Sequence, residues 1–295
     1  MVALISGATG TQGMAVALAL KEQGRAVRGL VRDAASPLAA VLERAGAELR
    51  RAAFEDEASL LTAMEGVTAL FSVQPAPQAD RDSERRQARA LIGAARAAGV
   101  GQIVHSSVSN TGSFAAMAGW EQGRWERNYW ESKRDVEEMV RQAGFPCWTI
   151  LRPAFMMDNF IRPKSDWMFP DLARGEILTA IAPDTRMVLI AAEDIGHMAA
   201  AALAKPDRFH ERTIELAGDQ LTLPEIAAIL TDVRGEAITA RTLEPDELIA
   251  RGQSPGWVES QQWMNAVNYP ARPEEMEALG LVPTRFRPWA QKHPW

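Results

Sequence analysis

The 295-residue chain is 47% apolar and 24% charged, values that exclude a disordered or fibrous polypeptide, and a chain of this length buries roughly 75% of its unfolded surface without help from a metal or disulfide. A single cysteine excludes an intramolecular disulfide and a cysteine-rich zinc site and fits a reducing, cytoplasmic setting. The net charge of −6, with 32 scattered Lys and Arg, argues against a nucleic-acid partner, and the N-terminus MVALISGATG is too short and uncharged for a signal peptide.

Val2–Ile5 is a short apolar run ending in a glycine turn. Met14–Leu20 is rich in helix-forming Ala and Leu and stops at Gly24. Ala26–Val31 is a second strand candidate. Ser36 and Pro37 open a helix as cap and first helical residue, and Gly46 closes it. Residues 47–53 read poorly as a strand by themselves but hold the place of a third. A short helix over Ser59–Met64 precedes a fourth strand, Ala69–Val73. A helix over Ser83–Ala98 ends at Gly99, and Ile103–His105 opens a fifth strand. A helix over Asn128–Ala143 ends at Gly144, and Cys147–Leu151 is a sixth strand, stopped by Arg152 and Pro153. This alternation predicts an α/β fold with a doubly wound parallel sheet, Rossmann-like in plan.

After Pro153 the rhythm changes. Met187–Ala191 and Ile214–Leu216 are strand candidates, and Asp194 is expected to cap a helix through Leu203. Thr222 and Glu225 fit a capping box opening a helix to about Arg234. The remainder is helix fragments broken by Pro and Gly. The expected division is a nucleotide-binding domain over 1–153 and a smaller, mainly substrate-binding part over 154–295, with 187–217 returning to the large sheet. Long apolar runs of membrane-spanning length are absent from the sequence.

Gly7, Thr9, Gly10, Thr11, Gln12 and Gly13 form a G-x-x-G-x-x-G turn between a strand and a helix. Glycines let backbone approach a pyrophosphate, and the helix N-terminus offers free amides and partial positive charge. Arg32 closes the second strand, where the adenosine ribose is met. A guanidinium there suits a 2′-phosphate and favours NADP(H). Asp33 is expected to point elsewhere.

These motifs bring a family into view. ISGATGTQG, LVRD, SLLTAMEGVTALFSVQP, SKRDVEEMVRQAGFPCWTILRPAFMMDNF, AAEDIGHMAAAAL and LTLPEIAAIL together resemble the NmrA-like group of atypical short-chain dehydrogenases/reductases, over residues 1 to about 235. The resemblance implies NADPH in an extended cleft, with the C-terminal part closing over substrate. It implies contacts to the nicotinamide ribose near Val73, Gln74 and Pro75, with Ser106 at the end of the fifth strand also on the cofactor. Pro153 and Phe155 are expected across the nicotinamide. Where the family carries an acid near the adenine this chain has Ala53, so Phe54 is expected to support the base. The family's habit of dimerising implies a homodimer.

Tyr129 and Lys133 form a Y-x-x-x-K pair on one helix face, at the position where short-chain reductases carry a proton donor. The lysine is expected to make the phenol more acidic and to hold the nicotinamide ribose. Ser107 is the candidate third member, because Val108 stands where extended relatives have serine. His105 reads as a packed strand residue and Cys147 as inert core. Met156, Asn159, Trp120 and Trp167 are the candidate substrate contacts, alongside Trp125 and Trp263. This lining predicts a small, apolar carbonyl, enone or quinone acceptor. The expected activity is NADPH-dependent reduction, with a non-catalytic NADP(H)-sensing regulator as the alternative.

Overall fold

The computed structural model describes residues 1–77 and 79–293, so the last two residues of the expected C-terminal part lie outside the described residues. The chain runs β1 (Val2–Ile5), α1 (Thr11–Glu22), β2 (Ala26–Val31), α2 (Pro37–Arg44), β3 (Glu48–Arg51), α3 (Glu57–Met64), β4 (Ala69–Ser72), α4 (Ser83–Ala97), β5 (Gln102–Ser106), α5 (Arg127–Gln142) and β6 (Cys147–Pro153). It continues through β7 (Phe155–Met156), α6 (Ser165–Met168), β8 (Glu176–Thr179), β9 (Met187–Ile190), α7 (Ala192–Ala204), α8 (Pro206–Phe209), β10 (Arg212–Leu216), β11 (Asp219–Leu221), α9 (Leu223–Arg234), β12 (Thr239–Thr242), α10 (Pro245–Ala250), α11 (Pro255–Ala266), α12 (Pro273–Ala278) and α13 (Phe286–Lys292). The elements fall into two compact units. The first gathers 1–112, 127–152 and 192–214; the second holds 113–126, 153–191 and the chain from Glu215 onward.

In the first unit, a seven-stranded sheet has the order β10-β6-β5-β4-β1-β2-β3. Pairings from β3 through β6 are parallel. The central strands β4 and β5 are buried along their whole length, apolar in the middle and carrying buried Ser72, Gln102, His105 and Ser106 at their ends. β3 is the exception, with sequence ELRR, because it is an edge strand; charge on an edge blunts unwanted pairing. Its Glu48 pairs with Arg28 directly across β2. Beneath one face, Leu60, Met64, Leu91, Ala95, Val136 and Val140 of α3, α4 and α5 pack with Leu4, Leu70 and Ile103 of the sheet. Elsewhere α7 packs on α1 so closely that a Cβ on Gly196 would fall 2.5 Å from the Ala15 carbonyl oxygen; glycine is what permits the approach.

The expected return of 187–217 to the large sheet divides. β10 joins it, whereas β9 lies in a separate three-stranded sheet, order β11-β9-β7. Asp194 sits inside the first turn of α7 and not at its cap, because the helix already begins at Ala192. The capping box at Thr222 and Glu225 forms as the sequence indicates.

In the second unit, β12 pairs with β8, and an aromatic core fills the interior. Phe155 stacks on Trp257 with ring centroids 5.8 Å apart, and Phe160 stacks on Phe169 at 4.6 Å and meets Phe286 edge-on. Such pairs add to simple area burial.

Candidate functional site

The turn after β1 is built by its glycines. Gly7 adopts φ +58°, and its carbonyl accepts from the Gly10 amide at 2.8 Å. Gly10 caps α1 without a side chain, leaving first-turn amides without intrahelical acceptors. A Cβ on Gly13 would lie 2.2 Å from the Gly7 oxygen, so the helix start and the turn are folded hard against each other. A Cβ on Gly7 would touch the Val73 side chain at 3.1 Å, which puts the turn beside the end of β4. Thr9, Thr11 and Gln12 are half-buried and Gly10 is exposed. This arrangement can hold a diphosphate.

Arg32, just beyond β2, is exposed. Asp33 is occupied locally: its Oδ1 accepts from the Ala35 amide at 2.9 Å and its carbonyl from Ser36 Oγ, a turn that sets up the Ser36 cap of α2. Phe54 is half-buried against the core of α3 and α4.

At the ends of β4 and β5 the polar groups interlock. Ser6 Oγ donates to the Val73 carbonyl and accepts from the Val73 amide. Ser106 Oγ donates to Gln12 Oε1 at 2.6 Å, tying β5 to the start of α1. Gln74 is buried, and its Nε2 donates to Ser72 Oγ at 3.0 Å. Its Oε1 is buried and has no hydrogen-bond partner, as is Ser109 Oγ. Pro75 is exposed. His105 lies within the buried part of this group, and burial pulls its imidazole down to about 4, aided by the charges of Lys133 and Arg141 against that of Glu137.

Ser107 is buried just past the end of β5. Its Oγ is 3.3 Å from Thr111 Oγ1 and bonds the Glu137 carboxylate. Arg152 grips both oxygens of that carboxylate at 2.8 and 2.7 Å, and Arg141 adds a third contact. Burial works to raise the Glu137 carboxyl. The Arg152 hydrogen bonds and charge, with those from Ser107 and Arg141, outweigh it and hold the group below the usual carboxylate range.

The tyrosine–lysine pair departs from expectation. Lys133 is buried, and its Nζ donates to Glu84 Oε1 at 2.5 Å. Ser132 Oγ donates to Glu84 Oε2, also at 2.5 Å. The ammonium sits 5.8 Å from the centre of the Tyr129 ring. Burial pushes the Tyr129 phenol well above its ordinary value, and the Glu84 charge adds to the rise. The expected acidification of Tyr129 by Lys133 is therefore corrected, because the lysine's charge is met by a carboxylate that the phenol also feels. Sequence reading missed Glu84. The available signal was physical: a lysine on the inward face of a helix requires a counter-charge.

The remaining expected residues belong to the second unit. Pro153 and Phe155 are buried, with Phe155 in the aromatic core. Met156 is half-buried and Asn159 buried. Trp120 packs edge-on against Phe114. Trp125 Nε1 donates to the Ala118 carbonyl, and Trp263 Nε1 points to Met117 Sδ. Trp120, Trp125 and Trp263 thus all meet the 114–118 segment, whereas Trp167 is 57% exposed. Among the described residues there is no His, Cys, Asp and Glu cluster fit for a metal ion and no helix long and apolar enough to cross a membrane.

The chain is similar to several known proteins. The NAD(P)H azoreductase of Xenophilus azovorans is 31% identical over 82% of this chain and 77% of its own. Quinone oxidoreductase 2 of Escherichia coli is 28% identical over 85% and 81%. The crystal structure of Citrobacter sp. triphenylmethane reductase complexed with NADP(H) superposes with a TM-score of 0.77 over 99% of this chain and 98% of that one, at 20% identity, a likeness of fold alone. The sequence profile of the NmrA-like family matches residues 2–273. With the glycine turn, the strand order and this match in agreement, the chain belongs to the NmrA-like family.

Proposed function

We propose that this protein is an NADPH-dependent oxidoreductase that reduces an apolar acceptor of the quinone class. The observation that carries the reading is the turn in which Gly13 lies against the Gly7 carbonyl and leaves the first amides of α1 open to an anion. Two further features fit the same dinucleotide. Arg32 is exposed at the end of β2, suited to a 2′-phosphate, and the buried Gln74 oxygen lacks a donor that a ligand would bring. Bound NADPH would supply a hydride. Gly7, Gly10, Gly13, Thr11 and Gln12 would hold its diphosphate, and Arg32 its phosphorylated ribose.

A reduced quinone takes its proton from water, so such an acceptor needs no acidified phenol. This accords with a Tyr129 that stays protonated. The names of the relatives point the same way, since azoreductase and quinone oxidoreductase both denote reduction of conjugated acceptors. The reading is tested by calorimetric titration with NADPH and NADH, followed by NADPH oxidation with a soluble quinone. Tight NADPH binding with turnover is expected; no heat from either nucleotide would overturn it. The engaged Lys133–Glu84 pair favours a second reading, an NADP(H)-binding regulator. NADPH binding without turnover of quinones, azo compounds or carbonyls would select it.

A further inference from the structure

The end of β4 carries a short buried polar chain whose last atom, Gln74 Oε1, has no hydrogen-bond partner. Ser72 and His105 are directly opposed on the parallel strands β4 and β5, and Ser72 and Gln74, two residues apart, share a side of the strand line. Ser72 Oγ lies 3.3 Å from His105 Nδ1 and accepts from Gln74 Nε2 at 3.0 Å. All three residues are at most 4% exposed, yet Gln74 Oε1 bonds nothing.

We infer that Ser72 and His105 are positioning residues that fix which way round the Gln74 amide sits, so that its buried, unpartnered Oε1 is kept as the acceptor for a hydrogen-bond donor on the nicotinamide half of the dinucleotide. This rests on the proposed NADPH reading. An amide fits a site equally well either way round unless its neighbours choose. Ser72 has one proton. We assign His105 the neutral tautomer with a bare Nδ1, which takes that proton and leaves Ser72 with lone pairs. Those lone pairs are satisfied by the Gln74 N–H and repel its oxygen. Burial keeps the ring neutral, with Lys133 and Arg141 reinforcing this and Glu137 opposing it.

Strand order selects the half of the ligand. The turn after β1 lies between β4 and β2 in the sheet. Arg32 stands at the end of β2 and Gln74 just past the end of β4, on opposite sides of that turn. A diphosphate held at the turn thus sends its adenosine phosphate toward Arg32 and its other half toward Gln74. The nicotinamide carboxamide and its ribose carry N–H and O–H donors.

The test compares NADPH and 2′,5′-ADP affinities for wild type, Ser72→Ala, Gln74→Leu and the double variant. One hydrogen bond is at stake, so each single variant should weaken NADPH about three- to tenfold. The double should be no weaker than Gln74→Leu, and 2′,5′-ADP affinity should not move. Ser72→Thr, which keeps the hydroxyl, should bind NADPH like wild type. Should Ser72→Ala fail to fold, Ser72→Cys takes its place, with the NADPH-induced shift in Tm as readout. Additive losses in the double variant, equal losses for 2′,5′-ADP, or wild-type NADPH binding by both single variants would overturn the inference alone. A wild-type protein that binds neither ligand would overturn the oxidoreductase reading and this inference with it.

Discussion

Lys133 and Glu84 form a buried ion pair, Nζ to Oε1 at 2.5 Å, joining α5 to α4 within the first unit. The second carboxylate oxygen is taken by Ser132. The lysine that sequence spacing assigns to Tyr129 is thus committed to a carboxylate, and the phenol beside it is disfavoured from ionising.

Tyr129→Phe should therefore keep kcat with a quinone within about threefold of wild type. Loss of a working general acid would instead cost about 100-fold or more. Stopped-flow NADPH oxidation under single-turnover conditions decides between them.

Removing one member of the buried pair should damage stability. Glu84→Ala leaves an ammonium without its counter-charge, a loss of about 3–5 kcal/mol. Adding Lys133→Met to Glu84→Ala should restore part of it. Urea denaturation of the single and double variants measures both, and a loss below about 1 kcal/mol for Glu84→Ala would contradict the pairing.

Arg32→Ala should erase a preference for the phosphorylated nucleotide. A charge-assisted hydrogen bond contributes about 1.5–3 kcal/mol, so NADPH affinity should fall about 10- to 100-fold while NADH affinity stays level. Parallel fluorescence titrations with the two nucleotides read this directly.

What the residues disclosed in sequence, and what they withheld, follows from the range of the interactions. Ala26–Val31 and the Thr222–Glu225 box are local, set by apolar runs and short hydrogen bonds, and both form where the sequence indicates. The glycine turn is equally local. Glu84 was not legible because it lies in a charged stretch, Asp80–Arg86, indistinguishable from a solvated helix start until α4 packs against α5. The Gln74–Ser72–His105 chain was hidden for the same reason, since strand pairing brings Ser72 and His105 together. Met187–Ile190 was recognisable as a strand, yet its apolar run carries no label for the sheet it joins.

His105 predicts a pH dependence of stability. Above about pH 6.5, the ordinary histidine value, the ring is neutral folded or unfolded and contributes nothing. As pH falls from there to about 4, the unfolded chain binds a proton that the folded chain refuses, so stability drops. The full effect is on the order of 3 kcal/mol. Glu137, held below its ordinary range, adds its own loss only at lower pH. His105→Asn should flatten the curve between about pH 6.5 and 4.5 in denaturant titrations; an unchanged slope would assign the titration elsewhere.

The Gly196–Ala15 contact bears on how the protein is made. α1, which follows the glycine turn, leaves the ribosome well before α7, which emerges only after the whole of β1 to β9. Until then the flank of α1 where Gly196 seats is bare. A fragment cut at Arg152 would keep every glycine of the turn and still lack the helix that braces it. Stop codons upstream of α7 should yield sticky, chaperone-dependent products, while a bicistronic supply of the missing segment should rescue them.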